Sequence, residues 1–198
     1  KEPQAIAMDT RSVQTPDSQG IYTVQTKIVD LADLKTAQGD LQPRDRSLDE
    51  STIEVQRRAS PDQFNPDRLL ESPTTGDGAP IIANDGTILS GNGRAMTLVE
   101  VFNNQPESRA KYIKALEDAG AMPEVIAQFR NPVMVRFYRW KGGPSDRPSG
   151  GVSSVAELKE FADLANTSEQ AQMSTTEAAQ RDAQRMPPQV VNLYTGGD

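Results

Sequence analysis

The stretch ILSGNGRAMTLVEVF, Ile88 to Phe102, carries a short apolar run into a helical pattern through Gly91-Asn92-Gly93-Arg94. A simple connector needs one flexible residue, yet here two glycines flank a single asparagine and an arginine follows. The first backbone N–H groups of a helix lack intrahelical partners, and the helix dipole adds partial positive charge there. Glycines let a ligand approach that backbone without a Cβ in the way. Arg94 would add a forked cation suited to phosphate oxygens. The same residues equally make an ordinary tight turn with a solvated arginine, and a short glycine motif does not separate the two readings. Ser90, just before the glycines, could reach a phosphate or cap the helix.

The neighbouring sequence places this turn in an order of elements. Upstream, PIIANDGTILSG predicts two short strands, 81–83 and 87–89, joined by a turn at Asn84-Asp85-Gly86. Further back, IYTVQTKIVDL from Ile21 alternates as a strand does. The spacing of Ser47 and Glu50 suits a capping box opening a helix through LDESTIEVQRRA. Downstream, RAMTLVEVF and PESRAKYIKALEDAGA predict helices broken near Asn103–Pro106, followed by a short helix in PEVIAQFR and a strand in PVMVRFYRW. Pro144, Pro148 and the flanking glycines make KGGPSDRPSGG a surface loop. Ser154 with Glu157, and Ser174 with Glu177, have the spacing of caps for two closing helices. The fold class expected is α/β (α+β), a small mixed sheet with packed helices. Residues 1–20 have no apolar period and are expected to form a flexible segment. The last dozen residues read as a loose tail.

Composition narrows the chemistry. The 198 residues contain neither cysteine nor histidine. That excludes disulfides, zinc–thiolate sites, imidazole ligands and the Ser-His-Asp arrangement. Chemistry would fall to carboxylates, Arg, Lys, hydroxyls or a hard metal such as magnesium. A formal charge of −7 argues against a sequence-independent nucleic-acid coat, though not against a local basic patch. No apolar run reaches the ~18 residues a membrane span requires. Arg136 and Arg139 could lend positive potential from their strand, but arginines on strands are more commonly solvated at an edge. Trp140 reads as a core or rim residue before a stacking platform.

PIIANDGTILSGNGRAMTL resembles the ParB/sulfiredoxin superfamily, in which a strand pair runs into a G-x-x-R sequence opening a helix. IVDLADL followed by LQPRDRS is similar to the family's first strand and Q-P-R box, here Gln42, Pro43 and Arg44. LANTSEQAQMSTTEAAQRDA is similar to its third box and supplies Asn166. The likeness covers roughly residues 21–186 and is nearest to the DdrB-like ParB domain of phage and plasmid polyvalent proteins. It implies a ParB/sulfiredoxin-like domain over 21–150, with 151–186 as its helical C-terminal part and 187–198 as tail.

The resemblance further implies that Arg44, Ser90, Gly91, Asn92, Gly93, Arg94 and Asn166 bind a nucleotide, with magnesium and CTP or ATP. It implies a nucleoside-triphosphate hydrolase or switch in DNA-related processes of a mobile element. The partners would be nucleotide, DNA or other domains of a larger polypeptide, without a membrane, in the bacterial cytoplasm or a phage particle. Two departures stand out. The family's G-E-R-R box lacks here its acidic residue and one arginine, which leaves open a non-catalytic assembly module. Sulfiredoxin's reactive cysteine is absent, so sulfinic-acid reduction is excluded. A ParB-like nuclease is the third reading, opposed by the net charge.

Overall fold

The computed structural model describes residues 4–15, 20–36, 48–150 and 153–165. Two strands dominate it. β2 (Ile21–Asp30) and β5 (Pro132–Lys141) lie antiparallel from Tyr22↔Lys141 to Asp30↔Pro132. β5 reads PVMVRFYRWK, and burial is unbroken from Pro132 to Tyr138. Such a run suits a central strand covered on both faces.

β1 (Ala5–Gln14) pairs antiparallel with β2 and forms one edge. β3 (Ile81–Ile82) lies parallel to β5, and β4 (Ile88–Ser90) folds back antiparallel beside it. The order β1-β2-β5-β3-β4 makes a mixed five-stranded sheet. That is the α+β class the sequence predicts.

Helices pack around the sheet: α1 (Leu48–Ala59), α2 (Asn92–Asn104), α3 (Pro106–Asp118), the single turn α4 (Pro123–Ile126) and α5 over 155–165. α2 buries Ala95, Leu98, Val101 and Phe102, the spacing of one helical face. Pro106 cannot continue α2 but suits the first turn of α3, so the chain bends there. The main core joins Leu98, Val101, Tyr112 and Leu116 to Ile28, Val29, Val133 and Met134. A second cluster seats α5. Phe161 packs edge-on against Tyr22 at 4.8 Å between ring centroids and tilted against Tyr138 at the same distance. Ser154 Oγ accepts the Glu157 N–H, so the expected cap of this helix forms. Ser47, Ser174 and Glu177 lie outside the described residues.

The N-terminal segment corrects the sequence reading. Residues 5–14, expected to lack regular structure, form β1. The reason is visible in its burial, because most of this strand is exposed and only Val13 is deeply buried. An edge strand that needs no alternating apolar face has no periodic signature. Its pairing slips between Ala7 and Asp9, and the Asp9 carboxylate accepts the Thr10 N–H at 2.7 Å and Arg11 Nε at 2.9 Å.

Tyr112 offers a direct test of the core. It is fully buried, and its hydroxyl accepts the Met134 N–H of the central strand at 2.9 Å. Tyr112→Phe strands that donor in a dry site, at a cost of about 1–3 kcal/mol. A fall in melting temperature of roughly 2–12 °C is expected. A thermal unfolding scan with no shift would contradict this packing.

Candidate functional site

Gly91 follows β4 and caps α2 at φ 94°, ψ 33°, a left-handed conformation that strains any residue with a Cβ. A second constraint acts there. A Cβ on Gly91 would lie 2.9–3.0 Å from the guanidinium of Arg94, which folds back over the turn. Gly91 is therefore fixed both by its backbone angle and by the side chain three residues later.

Arg94 does not extend toward open solvent. Its Nη1 donates to Gly78 O at 2.6 Å, and its Nη2 to Thr75 O at 2.9 Å and Ser90 Oγ at 3.3 Å. Ser90 is buried, and its hydroxyl donates to the same Thr75 carbonyl at 3.2 Å. Both residues tie the turn to the segment 72–79.

Arg136 grips the same segment. The sequence reading favoured a solvated strand-edge arginine. Instead its residue is 1% exposed on the central strand. It donates to Ala79 O at 2.8 Å, Ser72 O at 3.0 Å, Thr74 O at 2.7 Å and Asp77 O at 2.5 Å. Buried guanidinium is tolerated because these carbonyls meet its fork of donors. Burial pulls its pKa down to about 9, the like charge of Arg94 adds to this, and Asp77 and Glu71 oppose it. Arg136 therefore remains a cation at neutral pH. The chain bends through Asp77-Gly78, with Gly78 at φ 84°.

Gly93 has a different neighbour and no positive φ. The position of a Cβ there lies 3.6 Å and 3.7 Å from the two terminal nitrogens of Arg58, on α1. Arg58 is 43% exposed, and its Nε lies 3.6 Å from Glu54 Oε1. That carboxylate is already gripped by Arg57 through two bonds of 2.8 and 3.1 Å. Sequence reasoning missed Arg58, since only the packing of α1 on α2 brings it to the turn.

The α2 N-terminus itself has no side-chain cap and no acidic residue in its first turn. Among the described residues, the buried Oδ1 of Asn92 meets no hydrogen-bond donor and the buried hydroxyl of Thr75 has no partner. Ser90, Gly91, Asn92, Gly93 and Arg94 are thus together at one junction. Arg44 and Asn166, like Gln42 and Pro43, lie outside the described residues.

A model of the ddrB-like ParB superfamily domain matches residues 17–139. The chain belongs to that family. The matched span runs from before β2 to near the end of β5 and contains the Gly91 turn, the 72–79 segment and Arg58. No curated protein and no solved structure gives a match. Among the described residues no helix is long and apolar enough to cross a membrane.

Outside this junction, a cleft of about 800 Å³ lies at the other end of the β3–β4 hairpin, lined by Asn84, Asp85, Tyr138, Arg139, Trp140 and Arg147, among others. Arg139 is held there by Asn84 Oδ1 at 3.0 Å and Gln25 Oε1 at 2.7 Å. Trp140 donates its indole N–H to Gly143 O at 2.9 Å and lies under the guanidinium of Arg147, so it is a rim residue.

Replacing Arg136 tests the segment's dependence on guanidinium. Arg136→Met leaves four carbonyls without their donor, and a loss of at least about 3 kcal/mol is expected. Arg136→Lys should recover little, because an ammonium has three donors and no planar fork. Urea denaturation of the three proteins measures both.

Proposed function

We propose that this chain is a phosphate-binding domain that takes a nucleoside triphosphate at the N-terminus of α2, and acts as a hydrolase or switch in DNA-related processes of a mobile-element protein. The observation that carries the reading is the uncapped start of α2. Its first N–H groups have neither a side-chain cap nor an acidic neighbour, and guanidiniums approach from two sides. A dianionic phosphate complements that field better than water does. Family membership and the match of Gly91-Asn92-Gly93-Arg94 to the G-x-x-R sequence support the same ligand class.

Magnesium fits this reading in one respect. Asn92 Oδ1, a buried acceptor without a donor among the described residues, is an oxygen of the type a hard cation takes, though it would have to be uncovered to meet one. The ion would take its other ligands from phosphate and water. It would neutralise phosphate charge there, while the α2 amides and a neighbouring guanidinium would orient the phosphate chain.

A second reading is a non-catalytic assembly module. It is favoured by the engagement of Arg94 with backbone carbonyls, which gives the motif arginine a structural task that needs no ligand.

Calorimetric titration with CTP and ATP, with and without magnesium, tests the proposal. Binding below millimolar concentration is expected, and its absence for both nucleotides would leave the assembly module as the better account. Gly93 provides the site control. Gly93→Ala should fold, because its methyl meets only ordinary contacts and gains helix propensity of about 1 kcal/mol. Gly93→Val should fold too but weaken binding by roughly tenfold, since its branched carbon stands before the first amides.

A further inference from the structure

We propose that the phosphate-facing cation of this site is Arg58 of α1, and that Arg94, despite its place in the motif, is a positioning residue that locks segment 72–79. The inference rests on the phosphate reading above and divides its labour between two arginines.

The two glycines of the turn record that division. At Gly91 the missing Cβ makes room for the Arg94 guanidinium at 2.9–3.0 Å, so this glycine accommodates a side chain of its own turn. Arg94 then spends Nη1 and Nη2 on Gly78 O, Thr75 O and Ser90 Oγ. Turning that fork to a phosphate would strand the Gly78 carbonyl and take from Thr75 O the closer of its two donors, a cost set against every bond gained. Arg136 cannot replace it, because its own donors hold Ser72, Thr74, Asp77 and Ala79.

At Gly93 the geometry differs. Among the described residues, only the terminal nitrogens of Arg58 approach the Cβ position within 4 Å. Those nitrogens have no hydrogen-bond partner among the described residues, since only Nε engages the Glu54 backbone, at 3.4 Å. Glu54 is occupied by Arg57. Among the described residues, Arg58 is therefore the cation whose unengaged nitrogens lie beside the first turn of α2. Among the described residues, the donor-less Oδ1 of Asn92 and the partnerless hydroxyl of Thr75 are separate signs of an incomplete polar site near this junction.

Two measurements on the same variants separate the roles: affinity for inorganic triphosphate with magnesium, and melting temperature without ligand. Arg58→Ala is expected to weaken affinity ten- to a hundredfold, roughly one charge-assisted bond or slightly more, with the melting temperature within about 2 °C of wild type. Arg58→Lys should restore part of the affinity, because a point charge still acts beside the helix start. Arg94→Ala is expected to lower the melting temperature by roughly 4–8 °C. Arg94→Lys should remain destabilised, since one ammonium does not span Gly78 O, Thr75 O and Ser90 Oγ. Should Arg94→Ala fail to fold, Arg94→Lys carries that half, and its loss of melting temperature with affinity within threefold of wild type supports the lock.

Wild-type affinity in Arg58→Ala overturns the assignment. So does an Arg94 variant that loses affinity at an unchanged melting temperature. A wild-type protein that binds neither triphosphate nor nucleotide overturns the phosphate reading itself and removes the role of Arg58. That outcome is distinct, because it appears before any variant is compared.

Discussion

Backbone carbonyls that find no strand or helix to accept them must be satisfied some other way. The segment 72–79 concentrates that problem, and two arginine side chains resolve it. Arg136 gathers four of its carbonyls from the central strand, and Arg94 gathers two more from the start of α2. Much of the site follows from this. The segment is tied to β1 through Gln14, to β5 through Arg136 and to the β4–α2 junction through Ser90 and Arg94. An irregular stretch is thereby anchored at three places in the fold.

Two cations so close would repel, and the molecule manages this by composition as well as geometry. Asp77 and Glu71 act on Arg136 against the field of Arg94. Carbonyl dipoles supply the remaining negative potential. The consequence reaches the candidate site, because positive charge is held beside the α2 N-terminus without a carboxylate in that helix's first turn to cancel it. Ordinary helix starts recruit an acidic or hydroxyl cap there; this one does not.

Most elements were legible because their signals are local. The β2 and β5 strands, the β3–β4 hairpin and the helices α1 to α3 have patterns contained within themselves, and Gly91 at a strand-to-helix junction was readable from the glycine pair. The failures share a cause. β1 needed no apolar period, since its partner β2 supplies the ladder. Arg136 looks like a solvated residue until four carbonyls of a distant loop are seen to meet its guanidinium. Arg58 belongs to the site only through helix packing, which no spacing within α1 announces. Arg94 was correctly placed at the junction, but the direction of its side chain was set by carbonyls sixteen and nineteen residues upstream.

The outer strand has a bearing on how this domain could live inside a longer polypeptide or among copies of itself. β1 is a ten-residue strand at the sheet margin, the kind of ribbon that ordinarily recruits a neighbour. Its pairing skips at Met8, Asp9 occupies the Thr10 N–H, and Arg11 reaches across to Glu71. A visiting strand would meet a kinked, charged border whose donors are partly spoken for. Among the described residues the sheet therefore ends at a border poorly suited to take on another strand.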